Sequence, residues 1–184
     1  NVFTADGMME VNQKFVNTKA GANAKIKLHA NIDMTGKVWK MVDSHLDWKS
    51  YIAEFDGQGF TVSNMNIDGQ AMFSRFAGAG TVTIKNITIE ASGERAINVI
   101  GGSKKVTIEN VTATAANYVV NVASSAPSAV ITIKDSELTG LNTINVTAAN
   151  TTVTIENSII TTNEQASYEN YGAITLSITA TGST

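Results

Sequence analysis

Lysine and glutamate alternate at one position of a sequence pattern that recurs through the chain. The position is occupied in turn by Ser63, Lys85, Glu109, Lys134 and Glu156. Two carboxyl groups about 5–9.5 Å apart can cleave a glycosidic bond by general acid–base or nucleophilic chemistry. The two glutamates are two repeats apart, roughly 10 Å at the usual strand spacing, and a lysine stands between them. Such a column predicts cross-strand ion pairs with both carboxylates ionised, so no catalytic residue is assigned.

Other reactive residue types are few and scattered. The two arginines, Arg75 and Arg95, have Glu90 and Glu94 nearby in the sequence, which favours surface ion pairs over the base of a lyase. The two histidines, at positions 29 and 45, lack the spacing of metal ligands, and the chain has no cysteine. The sequence therefore predicts neither a metal site nor a cofactor site.

The pattern that positions these side chains is a repeat. Five eight-residue segments align without gaps, at 60–67, 82–89, 106–113, 131–138 and 153–160, and their central Asn or Asp residues are 22, 24, 25 and 22 residues apart. Repeats of this length built from Val, Ile and Thr are typical of a β-solenoid. Leucine-rich repeats have similar lengths, but they need spaced leucines and a helical or irregular outer side.

Each segment reads as two short strands joined by a bend. Val82 and Ile84 alternate with polar residues, as in a strand with one buried side. The alternation then shifts by one position, because the next apolar residues are Ile87 and Ile89 and not residues 86 and 88. Asn86 is therefore one extra residue between two short strands. Asn and Asp tolerate the left-handed backbone of a tight bend. We expect the bend residues to stack inside the coil as a hydrogen-bonded ladder of Asn64, Asn86, Asn110, Asp135 and Asn157.

A third strand follows in each coil, at 72–74, 97–99, 119–122 and 143–146. The predicted fold is a single all-β domain over residues 1–184, a right-handed parallel β-helix with three short strands per coil of 22–25 residues. An amphipathic capping α-helix is expected at 4–17, an irregular first coil at 24–59 with an insertion at 37–51, and regular coils at 60–184. The last alternating strand has no Asn bend, so the chain either ends on a terminal coil or is part of a longer polypeptide.

Two groups of residues are candidates for ligand binding. The insertion carries Trp48 and Tyr51, whose aromatic rings could stack on a sugar. Trp39, in the same stretch, is expected to be buried instead. The second group is an outward column on the third strands, Asn98, Asn121 and Asn145, which could bind a sugar chain or form a ladder of its own, the ladder being favoured.

Composition excludes several classes of partner. Only 16% of the residues are charged, the formal net charge is −3, and the lysines are not clustered, which argues against nucleic acid. The chain has too few consecutive apolar residues for a membrane-spanning helix. Thr, Asn, Ser, Ala and Gly dominate the exposed positions, which indicates an extracellular or bacterial cell-surface protein.

Residues 28–36, Trp39 and the segment 55–67, with its Asp56-Gly57-Gln58-Gly59 turn, resemble the opening coils of pectate-lyase-like β-helix proteins of bacterial surfaces, particularly among Bacteroidetes. Phe60 departs from that pattern, because the family commonly has a histidine there. The resemblance implies the fold and a surface or secreted location, and such families contain adhesin-like proteins as well as enzymes. We therefore expect a non-enzymatic scaffold or interaction module that binds carbohydrate or another surface protein. The alternative is a polysaccharide lyase or a glycoside hydrolase.

Overall fold

The chain folds as an all-β parallel solenoid with one short helix at its N-terminus. The computed structural model describes residues 1–13, 24–40, 52–68, 71–74, 81–91, 94–101, 105–163, 172–177 and 179–184. Within them lie α1 (Ala5–Val11), β1 (Ala24–Lys27), β2 (Ile32–Asp33), β3 (Val38–Lys40), β4 (Ile52–Asp56), β5 (Thr61–Asp68), β6 (Phe73–Ser74), β7 (Thr81–Ala91), β8 (Arg95–Val99), β9 (Lys105–Thr114), β10 (Tyr118–Val122), β11 (Val130–Lys134), β12 (Glu137–Gly140), β13 (Ile144–Val146), β14 (Thr152–Glu156), β15 (Ile159–Thr162) and β16 (Ile174–Leu176).

The strands stack in parallel on three faces. The first face runs β1, β4, β7, β9, β11, β14, and only the N-terminal halves of the long strands β7 and β9 belong to it. The C-terminal halves of β7 and β9 continue around a bend onto the second face, where β5, β12 and β15 join them. The third face is a separate sheet of β6, β8, β10, β13 and β16. The three strands predicted for each coil are therefore present.

The core is built from apolar columns that run along the solenoid. On the first face Phe55, Ile84, Ile108 and Ile133 lie in register and are fully buried. Each buried side chain of this size contributes about 1.5–3 kcal/mol through removal from water. Because every rung repeats the same apolar positions, the core is continuous from coil to coil.

Bends between the first and second faces have the left-handed backbone that the sequence predicts. Asn86, Asn110, Asp135 and Asn157 have φ values between 46° and 54°. Asn and Asp tolerate positive φ better than other non-glycine residues, which explains why they recur at these bends.

The predicted register of the first segment is wrong. In the structure Thr61 of β5 pairs with Thr88, so β5 begins on the second face, whereas the gapless alignment of the sequence predicts Asn64 beside Asn86. The strand that stacks on the N-terminal half of β7 is β4, with Phe55 opposite Ile84 and Asp56 opposite Lys85. Regular stacking thus already includes β4, ahead of residue 60.

The N-terminal segment covers the start of the solenoid. Helix α1 begins after Thr4, whose side chain accepts a hydrogen bond from the Gly7 N–H at 3.1 Å, and it buries Met8 and Val11 in the core. Val2 pairs in parallel with Leu28, so the chain before the helix also extends the first coil. The helix predicted at 4–17 begins where expected, with Thr4 as its N-cap, but α1 ends at Val11, and residues 14–17 lie outside the described residues.

Aromatic side chains fill the first two coils. Trp39 is fully buried, as predicted, and its Nε1 donates a hydrogen bond to the carbonyl of Met72 at 3.1 Å. Phe55 and Phe73 meet edge to face with ring centroids 5.1 Å apart. These coils are longer than the later ones, since Ile26, Phe55 and Ile84 are successive partners on the first face. The large aromatic side chains fill the wider cross-section of these first two coils.

Candidate functional site

The outward side of the first face carries two columns in register. We call Thr83, Thr107, Thr132 and Thr154 the threonine column, since each pairs with the next across parallel strands. The charged column beside it contains Lys27, Asp56, Lys85, Glu109, Lys134 and Glu156. Its sign alternates at every step across six strands. The predicted ribbon is therefore longer than the sequence indicated, and Asp56 stands where the alignment had placed Ser63.

Ion pairs link neighbouring strands of the charged column. Lys134 Nζ lies 2.8 Å from a Glu109 carboxylate oxygen, and Lys85 Nζ lies 3.1 Å from Glu54 and 3.7 Å from Asp56. Hydrogen bonding to Glu109 raises the pKa of Lys134, and hydrogen bonding to Glu54 raises the pKa of Lys85. The stabilisation from these lysines is complete below about pH 10.4, the ordinary lysine pKa, and is lost as the pH rises through their folded values.

Glu54 and Asp56 form a carboxylate pair that the sequence did not predict. Both contact the ammonium group of Lys85, and the side chain of Asp56 is only 5% exposed. Burial opposes ionisation of Asp56, but hydrogen bonds from Asn86 and Gln58 and the charge of Lys85 together lower its pKa. A general acid needs a raised pKa, so Asp56 has no proton to donate at neutral pH.

The predicted ladder of bend residues lies on the outside of the coil, because Asn64, Asn110, Asp135 and Asn157 are exposed and Asn86 is half-buried. The expectation that they stack inside is therefore wrong. A bend with positive φ turns the side chain away from the apolar columns, and its amide reaches the adjacent rung instead. Asn110 Nδ2 donates to Asn86 Oδ1 at 3.0 Å, and Asn86 Nδ2 donates to Asp56 Oδ1 at 3.1 Å.

Asn64 belongs to a different corner of the solenoid. Its Nδ2 donates to Asp33 Oδ1 at 2.9 Å, and the same oxygen accepts hydrogen bonds from the backbone N–H and the hydroxyl of Thr35. The hydrogen bond from Asn64 and those from Thr35 lower the pKa of Asp33. Each of the two ladders begins with an aspartate, Asp33 or Asp56. The first residue of a ladder only has to accept a hydrogen bond from the next asparagine, and a carboxylate does this.

Asp135 interrupts the longer ladder. It accepts from Asn157 Nδ2 at 3.4 Å, but a carboxylate has no hydrogen to donate to Asn110 on the preceding rung. Asp135→Asn supplies that donor and should raise the free energy of unfolding by about 0.5–1 kcal/mol. Urea denaturation should show a higher midpoint at an unchanged m-value.

Asn157→Asp is the matched control for this prediction. It removes the donor to Asp135 and places two carboxylates on adjacent rungs, so it should lower the midpoint. Equal midpoints for wild type and Asp135→Asn would show that the ladder hydrogen bonds add nothing to stability.

In the candidate column on the third face, Asn98 and Asn121 are buried and Asn145 is half-buried. Asn98 is 1% exposed and Asn121 is 8% exposed, because both sides of β8 and β10 are covered. Asn121 Nδ2 donates to Asn98 Oδ1, and Asn145 Nδ2 donates to Asn121 Oδ1, each at 2.7 Å. The outward, solvent-facing orientation predicted for Asn98 and Asn121 is wrong, and the ladder, the favoured alternative, is what the structure contains.

Trp48 and Tyr51, the aromatic candidates, lie outside the described residues, as do His45 and Arg75. His29 is exposed, bonds through Nε2 to the Asn1 side chain at 2.8 Å and stacks on Phe3 with ring centroids 4.8 Å apart. Arg95 lies 3.5 Å from Glu94 and 5.4 Å from the centre of the Tyr118 ring. His29 and Arg95 thus both have structural partners.

No group of three His, Asp or Glu side chains within the described ranges is arranged to hold a metal ion. In the same part of the chain, none of the helices has the length and apolar character needed to cross a bilayer. Among the described residues, we take the first face, with its threonine and charged columns, as the candidate contact surface.

Comparison of the chain with protein-family models, with curated proteins and with solved structures found no match in any of the three.

Proposed function

We propose that this chain is a non-enzymatic scaffold and interaction module of the cell exterior, and that the first face is its contact surface. The observation that carries the proposal is the unbroken register of the threonine and charged columns along that face. A flat, regular surface of this kind suits an extended partner. Rigid scaffolds bind with little reordering of their own, which favours affinity.

The charges on this face support binding rather than catalysis. Lys85 and Lys134 are each paired with carboxylates of adjacent strands, so the ribbon has little net charge to attract a strongly ionic partner. The threonine hydroxyls beside it repeat about every 4.8 Å and can donate and accept hydrogen bonds. A neutral carbohydrate chain, rich in hydroxyl groups, matches this chemistry. An adhesin-like role at a bacterial surface is the finer form of the proposal, and it rests on composition and on the resemblance to pectate-lyase-like proteins.

Removing hydroxyls from the threonine column should weaken carbohydrate binding. Thr107→Val together with Thr132→Val deletes two hydrogen-bonding groups and keeps the shape of the side chains. Each lost hydrogen bond costs about 1 kcal/mol, so the affinity for any glycan that binds on an array should fall by roughly tenfold or more. The measurement is a glycan array followed by titration calorimetry on the positive glycans.

The control is the same pair of substitutions on the second face, where Thr114 and Thr139 also lie in register. Thr114→Val with Thr139→Val should leave glycan binding unchanged. If this pair weakens binding and the first-face pair does not, the contact surface lies on the second face. Binding to none of the glycans would leave another surface protein as the partner.

The alternative function, a polysaccharide lyase or a glycoside hydrolase, has one observation in its favour, the proximity of Glu54 and Asp56. The ammonium group of Lys85 between them and the lowered pKa of Asp56 argue against it. Release of reducing ends or of unsaturated products from a polysaccharide, lost in Glu54→Gln, would establish the enzyme and refute the scaffold proposal.

A further inference from the structure

A β-bulge interrupts the second face where β5 stacks on β7. Two residues of β5, Ser63 and Asn64, lie opposite a single residue of β7, Glu90, because the register shifts between Val62 and Met65. Asn64 has a φ of 54°. Bulges bend a strand and redirect its side chains, and they are frequent at sheet edges and beside active sites. The regular surface of the second face therefore ends at this bulge.

An open cleft lies at the bulge. Its volume is about 260 Å³, and it is lined by Asn64, Glu90, Ala91 and Thr114. Glu90 and Thr114 are register partners on β7 and β9, and Ala91, which is 8% exposed, supplies the apolar part of the lining. We call this space the bulge cleft. Small-molecule pockets usually have volumes of about 300–1,000 Å³, so the bulge cleft suits a group the size of one side chain.

Each polar side chain of the bulge cleft offers an oxygen atom to a ligand. Within the described part of the chain, the exposed Glu90 carboxylate has neither a hydrogen bond nor an ion pair. Asn64 donates from Nδ2 to Asp33 at 2.9 Å, which leaves its amide oxygen as an acceptor. The hydroxyl group of Thr114, which is also exposed, can accept as well. Three acceptors from three side chains thus border one small space.

The charge around the bulge cleft favours a cation. Asp33, on the far side of Asn64, adds a second carboxylate, and hydrogen bonds from Asn64 and Thr35 lower its pKa. Calcium normally takes about six to eight oxygen ligands, more than these side chains supply. A primary ammonium group has three N–H donors and no acceptor, which matches the three acceptors of the cleft.

We propose that the bulge cleft binds a primary ammonium group, carried by a lysine side chain or by a small free amine. Glu90 forms the charge-assisted hydrogen bond, and Asn64 and Thr114 accept from the other two N–H groups. The inference goes beyond the proposed function and does not depend on the first face, since neutral carbohydrates carry no ammonium group. Solvent screens a charge pair at an open site, so the dissociation constant should be on the order of 1 mM.

An NMR titration tests the proposal. Nα-acetyl-lysine amide represents the lysine side chain, n-butylamine represents a free amine, and Nα-acetyl-norleucine amide lacks the ammonium group. The two amines should shift the backbone amide signals of Ala91 and Thr114, and the norleucine derivative should not. Tighter binding of the lysine derivative assigns the cleft to a protein partner, and equal or tighter binding of n-butylamine assigns it to a free amine. Equal shifts with the norleucine derivative, or no shifts with either amine, overturn the proposal.

Substitutions in the cleft give the second test. Glu90→Gln keeps an acceptor but removes the charge, so it should weaken the binding of both amines by about tenfold or more. Thr114→Val removes one acceptor and should weaken binding by about fivefold. Circular dichroism confirms that each variant keeps its β-sheet signal.

Glu137→Gln is the matched control, because Glu137 is an exposed carboxylate of the second face that does not line the cleft. Its amine affinity should stay within about twofold of wild type, the change expected from weak long-range electrostatics at a solvent-exposed site. Equal losses in Glu90→Gln and Glu137→Gln would mean that the amines respond only to the general negative charge of the face, and this result would refute a defined site.

Discussion

Gly57→Ala is expected to lower the free energy of unfolding by about 3 kcal/mol or more. A Cβ atom at Gly57 would lie 2.4 Å from the carbonyl oxygen of Asn86, 2.5 Å from Ile87 Cβ and 2.8 Å from Ile87 Cα. These are backbone atoms and a branched side-chain root, which cannot rotate away. Relief requires the turn at 56–59 to separate from the rung beneath it, and that breaks the hydrogen bonds from the Gly57 and Gly59 N–H groups to Lys85 and Asn86.

Gly101→Ala is the control that separates a steric clash of the new Cβ atom from the strain of a left-handed backbone. Gly101 has a φ of 72°, but a Cβ there would meet nothing within 4 Å. Its cost should be about 1 kcal/mol, the usual penalty for a left-handed non-glycine residue. Thermal and urea unfolding of both variants give the comparison. A Gly57→Ala variant no less stable than Gly101→Ala would mean that the turn is not packed on Asn86 as described.

The regular coils were predictable because their signals are local. In β7 and β9 the apolar parity changes at Asn86 and at Asn110, and the same shift recurs one coil later at Asp135. Alternation identifies a strand with one buried side, and a single extra Asn or Asp identifies the bend. These two features give the first and second faces without any knowledge of distant contacts.

The register of the second coil was not predictable in the same way. Two corners of the solenoid use the same chemistry, an aspartate accepting from an asparagine amide, at Asp33–Asn64 and at Asp56–Asn86. Local sequence cannot tell one corner from the other, so β5 was aligned with the wrong half of β7. The charge pattern contains a signal that distinguishes them, because only Lys27 and Asp56 continue the alternation of Lys85 and Glu109.

Burial at the bends and on the third face could not be read from residue type. Residue type alone does not place the Asn of a bend inside or outside the coil, and the structure places Asn110 outside. On the third face Asn98 and Asn121 look exposed in sequence because they alternate with Ile97 and Val120. They are buried because both sides of β8 and β10 are covered. That covering comes from residues distant in the sequence, so the local pattern of the strand does not indicate it.

The candidate contact surface was predictable in part. The threonine column and the four charged residues from Lys85 to Glu156 followed from the repeat alone. The carboxylate pair of Glu54 and Asp56 did not, because it depends on the stacking of β4 on β7. The scaffold proposal and its enzymatic alternative differ in the role they give to this pair, which lies in the coil whose register needed the structure.

Asp56→Ala is expected to lower the free energy of unfolding by about 2–3 kcal/mol at neutral pH, the second largest effect proposed for this chain. The Asp56 carboxylate accepts from Asn86 Nδ2 at 3.1 Å and from the Gln58 N–H at 3.0 Å. Alanine removes the acceptor of both donors, and the Asp56 side chain that it replaces is only 5% exposed. Asp56→Asn keeps one acceptor oxygen and removes the charge, so its cost should be about 1 kcal/mol.

The pH dependence identifies the charge as the cause. The pKa of Asp56 is lowered in the folded chain, so its ionised form stabilises the fold above its unfolded pKa of about 3.9, and this contribution is lost as the pH falls through the folded value. The stability difference between wild type and Asp56→Asn should therefore be constant from about pH 5 to 8 and shrink below about pH 4. Asp33, whose pKa is also lowered, is present in both proteins and cancels in the difference. Urea titrations at pH 7, 5 and 3 measure it, and a difference that grows on acidification would refute ionisation of Asp56 as the source of the effect.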